Sequence, residues 1–174
     1  MSLNLGLDAG HIRAALAPPA VGTKFAMYPA CPRPELVWGL RAHTDAGGIV
    51  VMLQDEAVGG LEFLLRGEEW VAVAPCGGGR VFVDIGDQIE VLSGGAYRSA
   101  VHRVAVGTEG RRLSMATFYN PGADAVVAPA SRDAPPEYPG PYRFGDYLQY
   151  YQRTKFGDKA ARFQAFKKMF TRLS

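Results

Sequence analysis

The sequence predicts a mainly β protein, a sandwich or barrel followed by helices, and three observations carry that prediction. Seven short runs rich in β-branched and aromatic residues lie between Gly48 and Gly122, too closely spaced for helical crossovers. Glycine and charged residues bound these runs as turns do. Beyond a proline-rich stretch at 128–141 the apolar period lengthens from two toward that of a helix.

Taken in order, Leu3, Leu5, Leu7, Ile12 and Leu16 have loosely helical spacing broken by Gly6 and Gly10, so 1–20 reads as the tail of a helical region. APPAVG is a breaker cluster, and the prolines of PACPRP forbid a central strand or helix at 29–34. The strand runs follow at 48–53, 61–65, 70–73, 80–85, 88–92, 97–104 and 112–119. Arg66-Gly67-Glu68-Glu69 joins 61–65 to 70–73 as a hairpin. The consecutive glycines at 77–79 mark a loop. Phe144, Tyr147, Leu148 and Tyr151 form one helical stripe, and Phe163, Phe166 and Phe170 a second; Gly157 separates the two helices within 142–172. Both stripes are expected to pack on the β core. At 174 residues and 48% apolar content, residues 1–174 read as a single domain.

Nineteen Lys and Arg against seventeen Asp and Glu give a formal charge of +2, far from the concentrated basic surface that nucleic acid requires. No apolar run is long enough to span a bilayer, and no signal peptide opens the chain. Cys31 and Cys76 belong to no Cys-x-x-Cys pair and read as reduced thiols, which suits a cytoplasmic location. Nothing in the sequence sets an oligomeric state.

The chemistry gathers on two of the three histidines. In His43-Thr44-Asp45 the outer residues stand two apart, so on extended backbone their side chains project to one side. Alone the pair is weak, because an aspartate often only orients a neighbouring histidine or caps a turn. His102 falls in the strand-like run YRSAVHRV and shares a face with Ala100 and Val104, which points its imidazole inward. Two neutral imidazoles and one carboxylate occupy one face of an octahedral iron(II) and leave adjacent positions for substrate and dioxygen. Zinc accepts the same donors, but hydrolytic zinc needs a general base and no such motif is present. Arg112-Leu113-Ser114 is another i, i+2 pair, offering a guanidinium fork and a hydroxyl to a carboxylate. His11 reads as a surface histidine, and Asp84 and Asp87, around Gly86, as turn residues without chemistry.

Three segments make the pattern specific: GLRAHTDAGGIVVMLQD (39–55), GDQIEVLSGGAYRSAVHRV (86–104) and RRLSMATFYNPGADAVVAPA (111–130). With the C-terminal YLQYYQRTKFGDKAARFQAFKKM they strongly resemble the plant 1-aminocyclopropane-1-carboxylate oxidases, within the 2-oxoglutarate and iron(II)-dependent dioxygenases. The likeness runs from about Leu5 to the C-terminal helices. It implies a double-stranded β-helix, or jelly roll, with iron at its mouth and helices outside. It also implies oxidative breakdown of aminocyclopropane carboxylate to ethylene, carbon dioxide and cyanide. Ascorbate is then the reductant, bicarbonate or carbon dioxide the activator, and 2-oxoglutarate is not consumed.

By position in those motifs the resemblance makes His43, Asp45 and His102 the Fe(II) ligands, and Arg112 and Ser114 the carboxylate-binding pair. Lys24 and Tyr28 in GTKFAMYPACP, with Arg41, match residues near substrate or activator; Lys155 and Arg162 match basic positions tied to ascorbate or bicarbonate use. Charge pattern alone would leave Lys155 and Arg162 on a solvated helix face. The chain departs from the family at Ala160 and Gln164, where acidic residues are usual, and lacks before Met1 the family's N-terminal helical region and first strands. Two further readings stand beside the oxidase: a 2-oxoglutarate-dependent hydroxylase of a plant metabolite, served equally well by the triad and Arg112/Ser114, and a non-catalytic truncated jelly-roll fragment.

Overall fold

The computed structural model describes residues 1–65, 69–75, 77–131 and 134–171, the last two of these as backbone only. In chain order the strands are β1 (Ala20–Tyr28), β2 (Leu40–His43), β3 (Ile49–Gln54), β4 (Leu61–Leu65), β5 (Glu69–Ala72), β6 (Phe82–Ile85), β7 (His102–Val104), β8 (Arg112–Asn120), β9 (Val126–Val127) and β10 (Tyr142–Arg143). The helices are α1 (His11–Ala15), α2 (Asp87–Leu92), α3 (Phe144–Thr154) and α4 (Lys159–Thr171). One antiparallel sheet has the order β1-β8-β3-β6 and the other β2-β7-β4-β5, with β9 and β10 as a separate pair. These two four-stranded sheets are the two walls of a jelly roll.

Register explains what the first sheet presents inward. Lys24 pairs with Ala116, Val50 with Phe118, and Val50 with Asp84. Even-numbered residues therefore lie opposite even-numbered residues across all four strands. Because side chains alternate faces along a strand, one parity fills the interior and the other faces out. Lys24, Tyr28, Val50, Asp84, Arg112 and Ser114 belong to the inward parity and line one cavity.

The C-terminal stripes behave as expected: Phe144, Tyr147 and Tyr151 of α3 and Phe163 and Phe166 of α4 are buried in the main core cluster, with Ile12 and Leu16 beside them. The side chain of Phe170 lies outside the described residues, as do Arg66, Gly67, Glu68 and Cys76. Strands β4 and β5 pair antiparallel, with Leu65 opposite Glu69.

Four expectations need correction. Residues 88–92 are not a strand but most of α2, whose six residues are all buried. Burial on every side erases the helical period, and a short apolar run then cannot be told from a strand. Of 97–104 only His102–Val104 is strand; Tyr97 and Ser99 use their N–H groups on the Ser93 hydroxyl and the Glu90 carboxylate instead. The stretch 1–20 holds a 3-10 turn at Leu3–Leu5 and the single short helix α1, and Ala20 already opens β1. Finally β1 opens at Ala20, inside the APPAVG cluster that reads as a loop, while 29–34 holds no strand, as expected. Pro18 and Pro19 precede β1 rather than interrupt it, and the prolines at 29, 32 and 34 fall between β1 and β2.

Close backbone approach fixes α2 against the loop after β2. A side chain at Gly86 would meet the Gly47 carbonyl oxygen at 2.4 Å. Only glycine lets the Gly86 N–H reach the Gly48 carbonyl at 2.7 Å while its Cα sits against Gly47.

Candidate metal centre

His43 and His102 are direct cross-strand partners in the β2–β7 pair, which brings together residues 59 positions apart in sequence (102 − 43). Their rings stand 4.4 Å apart between centroids. Asp45, two residues past His43, turns its carboxylate between them: His43 Nε2 lies 3.7 Å from one oxygen and His102 Nε2 3.8 Å from the other. One donor atom from each residue lies within 4.8 Å of the others. Two donors bound to one ion at about 2.1 Å each are at most about 4.2 Å apart. The carboxylate thus sits at the spacing of a shared ion from each imidazole, and the donor set, two nitrogens and one oxygen, is that of open iron(II) sites.

Both rings face the carboxylate for the same local reason. His43 Nδ1 lies 2.8 Å from the Arg41 carbonyl and His102 Nδ1 3.3 Å from the Ala100 carbonyl, each two residues back along its chain. A carbonyl only accepts, so the proton sits on Nδ1 and the Nε2 lone pair is free for a metal. Burial, aided by neighbouring His102 and Lys155, lowers the His43 imidazole to about 3, so it is neutral near pH 7. Burial raises the Asp45 carboxyl, against the pull of His102, Lys155 and Lys24.

The cavity above these donors holds about 250 Å³ and is lined by both sheets. His43, Asp45, His102, Lys24, Tyr28, Arg112, Ser114 and Lys155 all contribute to its wall. Arg112 is buried; its Nη2 donates to Gln54 Oε1 at 3.1 Å, while its Nε has no partner. An unpartnered buried guanidinium N–H beside an apolar wall suits an incoming anion. Burial raises the Tyr28 hydroxyl, opposed by Arg112, and lowers the Lys155 ammonium, opposed by Asp45.

Two expected residues stand elsewhere. Arg41 is exposed and lays its guanidinium 3.9 Å over the Phe156 ring, which stands 6.1 Å from the His43 ring between centroids, and it is not among the residues that line the cavity. Arg162 is 2% exposed and is not among the residues lining this cavity; its Nη2 donates to Thr44 Oγ1 at 2.8 Å. It is neither on a solvated face nor open to a co-substrate.

Two carboxylates read as chemically silent matter here. Asp84 lines the cavity with its Oδ2 3.6 Å from His102 Nδ1, and burial raises its carboxyl to about 6 against the pull of His102. Its inward parity on β6 was the available signal. Asp87 is fully buried at the start of α2 and accepts bonds from Thr44 and Tyr147. Its partners lie 43 and 60 residues away, so no local motif announces it.

Comparison with known proteins agrees with this geometry. The family model of the 2OG-Fe(II) oxygenase superfamily matches residues 19–121. The chain is 54% identical over 172 residues to 1-aminocyclopropane-1-carboxylate oxidase 1 of Arabidopsis thaliana, covering 97% of this chain and 54% of that protein. It is 49% identical over 180 residues to 1-aminocyclopropane-1-carboxylate oxidase 1 of Oryza sativa subsp. japonica, covering 98% and 55%. The chain thus spans about half the length of the curated relatives it matches. Among solved structures, JOX2 in complex with 2OG, Fe and JA superposes with a TM-score of 0.80 at 36% identity, over 95% of this chain and 49% of that one. The rice dioxygenase for auxin oxidation gives 0.76 at 27% identity, over 92% and 55%.

Proposed function

The chain belongs to the 2OG-Fe(II) oxygenase superfamily, and from that premise we propose that it is the iron-binding part of an oxidase that converts 1-aminocyclopropane-1-carboxylate to ethylene, carbon dioxide and cyanide. His43, Asp45 and His102 hold iron(II) in this reading. One observation carries it: two imidazoles and a carboxylate converge beneath a cavity whose facing wall carries Arg112, Ser114 and Lys24. The names of the relatives supply the substrate.

Iron(II) held by these three residues would supply dioxygen activation and the oxidising chemistry. Everything else falls to the chain. The Arg41 and Ala100 carbonyls fix the two imidazoles, and Asp45 contributes the single negative charge among the donors. Arg112 and Ser114 hold a carboxylate, and Lys24, Lys155 and Tyr28 gather the remaining anions, ascorbate and bicarbonate, by charge-assisted hydrogen bonds. Val50, Met52, Leu61, Phe63, Val104 and Phe118 keep water from the reacting groups. The stoichiometry closes with ascorbate as the two-electron reductant, which leaves as dehydroascorbate with two waters. A cytoplasmic location goes with this reading; among the described residues no helix is long and apolar enough to cross a membrane.

Headspace gas analysis tests the proposal: the chain with substrate, iron(II), ascorbate and bicarbonate, and without 2-oxoglutarate, should release ethylene. A second reading, a 2-oxoglutarate-dependent hydroxylase, is favoured by the likeness to a structure solved with 2OG and iron. Turnover that requires 2-oxoglutarate and releases equimolar succinate would establish that reading and overturn the first.

A further inference from the structure

Thr44 lies between His43 and Asp45, is 1% exposed, and is held at three points. Its hydroxyl accepts from Arg162 Nη2 at 2.8 Å and donates to Asp87 Oδ2 at 3.2 Å. Its carbonyl accepts from the Tyr151 hydroxyl at 2.5 Å. The grip continues along the backbone. The Asp45 carbonyl accepts the Asp87 N–H at 2.8 Å, the Ala46 carbonyl the Gln88 amide at 2.6 Å, and the Gly47 carbonyl the Gln88 N–H at 2.9 Å. Every carbonyl from Thr44 to Gly47 is therefore held by α2 or α3.

Arg162 closes this arrangement from α4. Its Nη2 lies 3.6 Å from Asp87 Oδ2, an ion pair whose side chains are 1% and 0% exposed. Its guanidinium stands 4.9 Å from the Tyr151 ring, and its Nη1 reaches the Thr154 and Lys155 carbonyls at 3.4 Å. Tyr147 donates to the same Asp87 oxygen at 2.6 Å. Its Nε has no partner, as in Arg112, but Arg162 is 2% exposed and, unlike Arg112, is not among the residues lining the cavity, so that N–H is shut off from a soluble anion. Removing the guanidinium leaves a buried carboxylate without its cation, the costly way to break such a pair.

We infer that Arg162 is a positioning residue, which acts through Thr44 and Asp87 to fix the backbone carrying His43 and Asp45, and does not itself bind ascorbate or bicarbonate. The inference rests on the metal site proposed above for its effect on iron, but its effect on the backbone stands apart from it. Partners that orient first-ligand groups typically change metal affinity about 10- to 100-fold when removed.

The test uses the full chain carrying Arg162→Met, Thr44→Val or both. Anaerobic titration calorimetry with iron(II) should show binding weakened about 10-fold or more in Arg162→Met, and weakened in the same direction in Thr44→Val. The double variant should be little worse than Arg162→Met alone, because both changes cut one link. Hydrogen exchange on the metal-free chain should show the Asp87 and Gln88 amides losing protection while β8 keeps its own. The KM for ascorbate and for bicarbonate should stay within about twofold of wild type. Unchanged iron affinity and exchange, with a KM for either anion raised tenfold, would overturn the inference and make Arg162 an anion ligand. If wild type holds no iron, the proposed function falls, and the exchange comparison alone still decides what Arg162 does. Should Arg162→Met fail to fold, Thr44→Val, which removes only the shared hydroxyl, carries both readouts.

Discussion

Asp45 is the only anion among the three converging donors, and its carboxyl is held between two imidazoles and two lysines. Asp45→Ala should lose more iron affinity than the 10- to 100-fold typical of outer partners, with the fold intact by circular dichroism. Iron binding within threefold of wild type would contradict its role. The acid response of the metal-free chain divides between His43 and Asp84. The His43 imidazole, at about 3 when folded against 6.5 when free, binds a proton only in the unfolded chain between those values. Stability therefore drops as pH falls through that window, by at most about 1.4 kcal/mol per pH unit. Asp84 has the opposite sign: its carboxyl, at about 6 when folded against 3.8, binds a proton only in the folded chain over that range, so stability gains as pH falls below 6. The two slopes oppose each other between about pH 6 and 4. Asp84→Asn removes the second, so the variant's Tm should fall from pH 6 to 4 more steeply than that of wild type. Parallel thermal-melt curves would show that Asp84 is not protonated in the fold as stated.

The same division between what a sequence displays locally and what only the fold assembles recurs among the elements. Helix α4 is pinned by Lys159, whose Nζ donates to Glu90 Oε2 and to the Ser99 carbonyl, both at 2.6 Å. Glu90 also accepts from the Ser99 N–H and the Tyr138 hydroxyl, so α2, α4 and the approach to β7 meet at one buried carboxylate. Lys159→Met should lower stability by about 2 kcal/mol, read as a shift of the urea midpoint at unchanged m value. A shift below a few tenths of a kcal/mol would mean that the pair is only a surface ornament of α4. Strands with alternating faces and the aromatic stripes of α3 and α4 were legible because period two and period 3.6 are written in consecutive residues. The pair His43-x-Asp45 was legible for that reason as well. Helix α2 was not, since all its residues are buried, and β1 was not, since a breaker cluster runs into its start and its first six residues are all exposed. Arg162, Asp87 and Thr44 were hidden more deeply, because their link spans 118 residues and depends on three elements meeting.

For the molecule as a whole, the parity that fills the interior of the β1-β8-β3-β6 sheet also fixes what its outer face shows. Odd-numbered residues point out, and several are large and apolar: Phe25 is 76% exposed, Met27 61%, Val83 55% and Leu113 49%. Register sets Phe25 beside Met115 and Met27 beside Leu113, with Leu53 beyond, so these side chains form one continuous patch lined also by Ala57. At its side β1 leaves an unpaired strand edge among the described residues. A contiguous exposed apolar surface next to a free edge promotes association. The chain should therefore bind a hydrophobic dye such as anilinonaphthalene sulfonate and sediment faster as its concentration rises. Phe25→Lys places a charge at the most exposed point of the patch, on the face away from the metal donors. It should reduce dye fluorescence and the concentration dependence together, and leave iron affinity within about twofold. Equal dye binding by wild type and variant would show that the patch is already covered when the chain is in solution.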